Sequence, residues 1–317
     1  MNTFRKRVVQ TLLALIAISG AGAFASTKEH KQVRQELDYT KTPNRYVEIQ
    51  GIRYAYRTIG NENGNLPLVL FQHFTGTMDD WDSELVDDLA KNRKLYIFDN
   101  AGVGASGGAS ADSVAAMAAT GEAFLGALNL KKVDVLGYSL GGFIVQQILL
   151  DRPELIRKAI LAGTAQEGGE GIANQQQILQ DATKKSAETK RQLKDVLFFT
   201  DTAEGQAAAL SFLRRINNHS VDAEKPLSPE STRVQLKAIV LWGSGPSNLA
   251  RLEGVKQPVL IVNGSNDIMT PTSNSLLLFQ HISTAQLSLY PDSGHGSIFQ
   301  YHGLFVSQVN TFLDGVQ

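Results

Sequence analysis

Apolar positions along the chain fall into two alternating kinds of segment. Short apolar runs read as strands at Tyr46–Ile49, Ile52–Ile59, Pro67–Phe71, Leu95–Phe98, Val133–Leu136, Lys158–Leu161, Pro258–Val262 and Gln286–Tyr290. Longer stretches with helical spacing lie among them, at Ser83–Ala90, Ser113–Leu128, Phe143–Leu150, Thr272–His281 and Phe299–Leu313. Alternation within Ile52-Arg53-Tyr54-Ala55-Tyr56-Arg57 suits a half-exposed antiparallel pair, whereas the continuous run at 67–71 suits a buried parallel strand. Strands alternating with helices predict an α/β fold, a mostly parallel eight-stranded sheet flanked by helices on both faces. One segment breaks the rhythm: Gln166 to Gly254 has several helical patterns, apolar clusters such as Leu197-Phe198-Phe199, and no good strand. A stretch of that length between two strands is not a loop. It reads as an inserted helical cap, 166–254, over a core formed by 45–165 and 255–317.

The N-terminus obeys another pattern. Arg5-Lys6-Arg7 precedes a mostly apolar run, Val8 to Ile18, and small residues end in Ala23-Phe24-Ala25. This is the order of a secretory signal peptide, and cleavage is expected after Ala25. The apolar part is shorter than the ~20 residues of a spanning helix, so no membrane span is expected after processing. A Sec-type leader implies a periplasmic or secreted protein. Residues 26–44 are polar and read as an N-terminal arm. Composition adds exclusions. With 317 residues and a formal net charge of −1, nothing suggests nucleic acid or an anionic membrane as a partner. The absence of cysteine excludes a disulfide framework, a thiol nucleophile and a Cys-ligated metal.

The candidate chemistry begins at Gly137-Tyr138-Ser139-Leu140-Gly141, which follows the Val133–Leu136 run directly and opens a helical segment. Strand, G-x-S-x-G, helix is the context of a nucleophile elbow, in which a sharp turn lifts the serine hydroxyl out of the sheet at a helix N-terminus. Gly104-Ala105-Ser106-Gly107-Gly108 spells the same pattern without that context and reads as a glycine-rich loop. Serine needs a base within reach. His295, flanked by Gly294 and Gly296 after the last predicted strand, is the candidate general base. Asp267, in the turn after Pro258–Val262, is the candidate that orients it, with Asp292 left to shape the histidine loop. The order Ser139, Asp267, His295 is that of an α/β-hydrolase triad. For the oxyanion, the first donor is the backbone N–H of Leu140. The second should come from the loop Gln72-His73-Phe74-Thr75-Gly76, in which His73 reads as a brace rather than a second base.

Taken together, His73-Phe74-Thr75-Gly76, Asp99-Asn100-Ala101-Gly102-Val103-Gly104-Ala105-Ser106, the Ser139 elbow, Gly264-Ser265-Asn266-Asp267 and Gly294-His295 resemble the α/β-hydrolase superfamily over almost the whole mature chain. Within it the chain is similar to the capped, single-domain branch of esterases, cofactor-free haloperoxidases, proline iminopeptidases and carbon–carbon bond hydrolases. Two positions depart from the pattern. Phe74 stands where the oxyanion loop usually has glycine, which points to Thr75 N–H as the second donor, and Asn100 stands where many relatives carry arginine. Ser139 argues against the aspartate nucleophile of haloalkane dehalogenases and epoxide hydrolases.

The resemblance implies a serine hydrolase that cleaves a carboxylic ester through an acyl-enzyme, with no metal or organic cofactor. Phe74, Trp81 and Tyr138 are the expected pocket residues, and they suit a small to medium, partly apolar small-molecule substrate. The alternatives on the same triad are perhydrolysis, N-terminal peptide cleavage and C–C hydrolysis. A peptidase should need cap carboxylates for the substrate ammonium. Glu167, Glu170, Asp181, Glu188, Asp195, Asp201 and Glu204 are present but read as solvated helix charges. A non-catalytic ligand-binding protein on the same fold is the alternative of another class.

Overall fold

Eight strands form one sheet in the order β1-β2-β4-β3-β5-β6-β7-β8 in the structure, a computed structural model that describes residues 37–247 and 249–315. The strands are β1 Arg45–Ile49, β2 Ile52–Ile59, β3 Leu68–Phe71, β4 Leu95–Phe98, β5 Val133–Tyr138, β6 Ile156–Ala162, β7 Val259–Gly264 and β8 Ala285–Tyr290. β1, β2 and β4 pair antiparallel and the remaining pairs are parallel. The core helices are α1 Ser83–Ala90, α2 Val114–Ala127, α3 Leu140–Asp151, α8 Thr272–His281, α9 Ser297–Gln300 and α10 His302–Asp314. Between β6 and β7 lie α4 Gln175–Thr189, α5 Leu193–Phe198, α6 Ala203–Ile216 and α7 Pro229–Ser244, with no strand among the described residues.

The period of two along each central strand divides the core between the faces. Leu68 and Leu70 of β3 and Leu95 and Ile97 of β4 face α1 and α10, where Leu85, Leu89, Phe305 and Val309 complete one cluster. Val69 and Phe71 of β3 and Val133 and Val135 of β5 face α2, α3 and α8, with Phe124, Ile144, Ile148 and Leu278. The cap extends both clusters, through Phe212 of α6 on one side and Trp242 of α7 on the other. Among the described residues no helix is long and apolar enough to cross a membrane.

The expected leader, 1–25, and the first part of the arm lie outside the described residues. The rest of the arm is docked. Tyr39 is fully buried, its hydroxyl donates to the Met78 carbonyl at 2.7 Å, and its N–H donates to Asp87 Oδ1 at 2.9 Å. The helix expected over 299–313 is two helices. Tyr301, at φ −109° and ψ 34°, interrupts it, and its hydroxyl donates to the Pro291 carbonyl at 3.0 Å.

Candidate active site

The carboxyl ends of the parallel strands carry every candidate group, the usual location for ligands in such sheets. Ser139 follows β5, Asp267 follows β7 and His295 follows β8. Ser139 is held at φ 56° and ψ −118°, a backbone region that non-glycine residues rarely enter. Hydrogen bonds fix it there: its N–H donates to the Ala162 carbonyl at 2.9 Å, and its carbonyl accepts from Gly142 N–H at 2.8 Å and Thr164 Oγ1 at 2.9 Å. The flanking glycines are required by close approach. A Cβ on Gly137 would lie 2.5 Å from the Gly141 carbonyl oxygen, and one on Gly141 would collide with the Phe71 carbonyl.

His295 Nδ1 lies 2.8 Å from Asp267 Oδ2, and both side chains are buried. The carboxylate is further fixed by Met269 N–H and Thr270 N–H donating to Oδ1 at 2.8 and 2.9 Å and by Thr270 Oγ1 donating to Oδ2 at 2.7 Å. A carboxylate only accepts, so His295 carries its proton on Nδ1 and leaves Nε2 as a lone-pair base. The loop is fastened from two sides. Tyr138 hydroxyl donates to the His295 carbonyl at 3.0 Å, and Gly296 N–H donates to the Phe198 carbonyl of α5 at 2.8 Å. A Cβ on Gly294 would stand 2.8 Å from that same Phe198 oxygen, so the cap helix accounts for the glycine.

Ser139 and His295 share a cavity of about 490 Å³ with His73, Phe74, Leu197 and Met269. Phe74 is therefore on the wall of the cavity that holds Ser139. Trp81 and Tyr138 are not. Both are fully buried in the core beneath the site, with ring centroids 6.2 Å apart, and Tyr138 packs against His295 at 5.1 Å. The strand direction at the end of β5 turns Tyr138 inward, where the His295 carbonyl satisfies its hydroxyl.

Of the two amides expected to face an oxyanion, one is engaged elsewhere. Leu140 is the first residue of α3, so its N–H has no acceptor within the helix. Thr75 N–H, expected as the second donor, instead donates to Gln235 Oε1 of α7 at 3.0 Å. Thr75 sits at φ 62°, in the left-handed region that non-glycine residues rarely adopt. Phe74 lines the cavity, and its N–H has no acceptor among the described residues.

Ser106 serves structure, as its context implied. Its buried hydroxyl accepts from Ala55 N–H at 2.9 Å and donates to the Asp99 carbonyl at 2.8 Å. None of the seven cap carboxylates considered above lines the cavity that holds Ser139. Most have local partners: Asp195 is paired with Arg191 at 2.6 Å, Asp201 with Lys185 at 2.5 Å, and Glu170 accepts from Ser273 Oγ at 2.6 Å. Residues that sequence reasoning did not single out are Gln235, Thr270, Met269 and Lys194. Only the Leu197-Phe198-Phe199 cluster had marked α5 as a packing element.

Residues 67–300 match the family model described as "alpha/beta hydrolase fold". An α/β hydrolase fold protein from Chitinophaga pinensis is 41% identical, with 88% of this chain and 100% of that chain covered and a TM-score of 0.83. The pimeloyl-[acyl-carrier protein] methyl ester esterase of Nitrosomonas europaea is 27% identical over 236 residues, 72% of this chain and 87% of the relative. The proline iminopeptidase of Lactobacillus acidophilus is 24% identical over 295 residues, 84% of this chain and 97% of the relative.

Proposed function

Because this chain belongs to the α/β hydrolase fold family, we propose that it is a serine hydrolase which cleaves a carboxylic ester through an acyl-enzyme. The observation that carries the reading is the buried His295–Asp267 pair, 2.8 Å apart, whose histidine shares a cavity with a strained Ser139 at a helix N-terminus.

In this mechanism Ser139 Oγ attacks the ester carbonyl carbon and its proton passes to His295 Nε2. Asp267 keeps the proton of Nδ1 in place and stabilises the imidazolium. The carbonyl oxygen, now an oxyanion, accepts from the N–H groups of Leu140 and Phe74, two amides that have no acceptor among the described residues. Collapse breaks the bond to the alcohol oxygen, which takes the proton from His295. Water then attacks the acyl carbon, gives its proton to His295, and the acid leaves as Ser139 is restored. A relative named for a methyl ester supports an ester as substrate. The mostly apolar wall of Leu179, Leu193, Leu197, Phe198 and Met269 supports a partly apolar acyl or alcohol group. The absence of the seven cap carboxylates from this cavity disfavours a reading in which they hold a substrate ammonium. The N-terminal leader would place the activity in the periplasm or outside the cell, which fractionation of cells expressing the full chain tests.

The direct test is labelling with a fluorophosphonate probe, followed by a panel of acyl esters. Labelling is expected in wild type and Ser106→Ala and lost in Ser139→Ala. A folded wild type that neither labels nor hydrolyses any ester would overturn the reading and favour a ligand-binding protein.

A further inference from the structure

His73 is one of the residues that line the cavity, and it carries a buried, unfilled hydrogen-bonding position. Its Nδ1 lies 2.7 Å from the Phe74 carbonyl oxygen, which can only accept, so the proton sits on Nδ1. Burial, the largest influence, pulls the ring down to about 4, so at neutral pH it holds that one proton and no other. Nε2 is then a lone-pair acceptor. It is buried and has no partner among the described residues.

No neighbour donates to it: Thr75, Ser139, Gln192 and Thr232 line the same cavity and carry donors, yet none is bonded to Nε2. The rings of Tyr138 and Phe198 stand edge-on, with centroids at 5.4 and 5.3 Å. Lys194, the cation of the same wall, is paired with Asp80. His295 directs its proton to Asp267. A buried acceptor in an apolar wall is costly while empty and favourable once a ligand donor reaches it.

We propose that His73 Nε2 selects the substrate, an ester on the reading above, by accepting a hydrogen bond from an O–H or N–H that the substrate carries a few atoms from its scissile carbonyl. His73 immediately precedes Phe74, whose amide faces the oxyanion in the proposed mechanism, so the donor belongs close to the carbonyl rather than at a distal end. A site built around such a bond rejects the analogue that lacks the donor, here by at least about tenfold in kcat/KM.

Two measurements test this, one of them independent of turnover. In ¹⁵N-histidine-labelled Ser139→Ala protein, with His73 assigned by comparison with Ser139→Ala/His73→Gln, the expected result is a proton on Nδ1. Addition of ethyl 3-hydroxybutyrate or ethyl 2-acetamidobutyrate should shift the Nε2 resonance, the first reporting an O–H donor and the second an N–H, and ethyl butyrate should not. A proton on Nε2, or the same response to all three esters, overturns the proposal whether or not the wild type is an esterase. In turnover by the wild type, one of the donor-bearing esters should exceed ethyl butyrate by about tenfold or more. That ratio should fall to within about threefold of unity in His73→Phe and persist in part in His73→Gln, which keeps an acceptor. Equal rates on all three esters with Ser139 labelling intact would refute the role of His73 and leave the esterase reading standing.

Discussion

Replacing Asp267 by asparagine changes one atom, and the structure determines which way the new amide must face. Oδ1 now receives the backbone N–H groups of Met269 and Thr270, at 2.8 and 2.9 Å. Oδ2 receives the Thr270 hydroxyl at 2.7 Å and His295 Nδ1–H at 2.8 Å. If the amide nitrogen took the Oδ1 position it would oppose two buried backbone donors, each worth about 1–3 kcal/mol when left unsatisfied. If it takes the Oδ2 position, the Thr270 hydroxyl can rotate to accept from it, and only His295 is confronted by a donor. The second orientation therefore wins by about 2 kcal/mol or more, better than a tenfold population ratio. The imidazole answers by moving its proton to Nε2, and the base that faces Ser139 disappears. Asp267→Asn should thus fold with little loss of stability yet lose on the order of 10⁴ in kcat, the scale expected when a triad histidine is held in the wrong tautomer. The assay is kcat on the best ester of the panel, with thermal unfolding alongside and ¹⁵N–¹H correlation of His295 to locate the proton. Activity within about tenfold of wild type in a folded Asp267→Asn would refute the assignment of Asp267 as the orienting group.

Other consequences are equally direct. Gly141→Ala drives a methyl group into the Phe71 carbonyl and should abolish soluble folded protein. Gly126→Ala, at an exposed position of α2 with nothing within 4 Å, should stabilise by about 0.5–1 kcal/mol in denaturant melts. Ser106→Ala removes two buried hydrogen bonds and should cost about 1–3 kcal/mol of stability in the same melts without reducing fluorophosphonate labelling. Burial, and then the neighbouring Glu224 carboxyl, hold Asp99 well above the usual carboxylate range, and Glu224 is itself raised, chiefly by burial. The folded state then retains protons that the unfolded chain gives up from about pH 4 upward, so this pair subtracts stability as pH rises toward neutrality. Glu224→Gln should reduce the fall in Tm between pH 5 and 8, and an unchanged slope would refute the coupling.

What the chain's pattern made legible was local. The Ser139 elbow could be separated from its look-alike at Ser106 because a strand ends and a helix begins at the first and not at the second. Short apolar runs, one of them alternating, were enough to locate all eight strands. The features that escaped depend on segments remote in sequence. Thr75 was expected to offer its amide to the oxyanion. A glutamine 160 positions later, on a helix whose placement no local rule determines, holds that amide instead. Trp81 and Tyr138 were expected in the pocket as aromatics suited to a partly apolar substrate, but which way such a side chain points is settled by packing against the opposite layer. Tyr39 was hidden in a polar stretch and is buried because Met78 and Asp87 offer it partners.

The bond from Gly296 N–H to the Phe198 carbonyl has a consequence for engineering. Caps on this architecture invite exchange as cassettes, since specificity could be altered while the sheet is left alone. Here the cassette and the His295 loop share a main-chain bond. A graft that replaces 166–254 without reproducing an acceptor at position 198 would leave the loop with its Tyr138 fastening but not the cap one and is expected to lose rate before specificity could be read. The safe exchange ends on either side of α5, with 193–199 retained and α4, α6 and α7 varied around it.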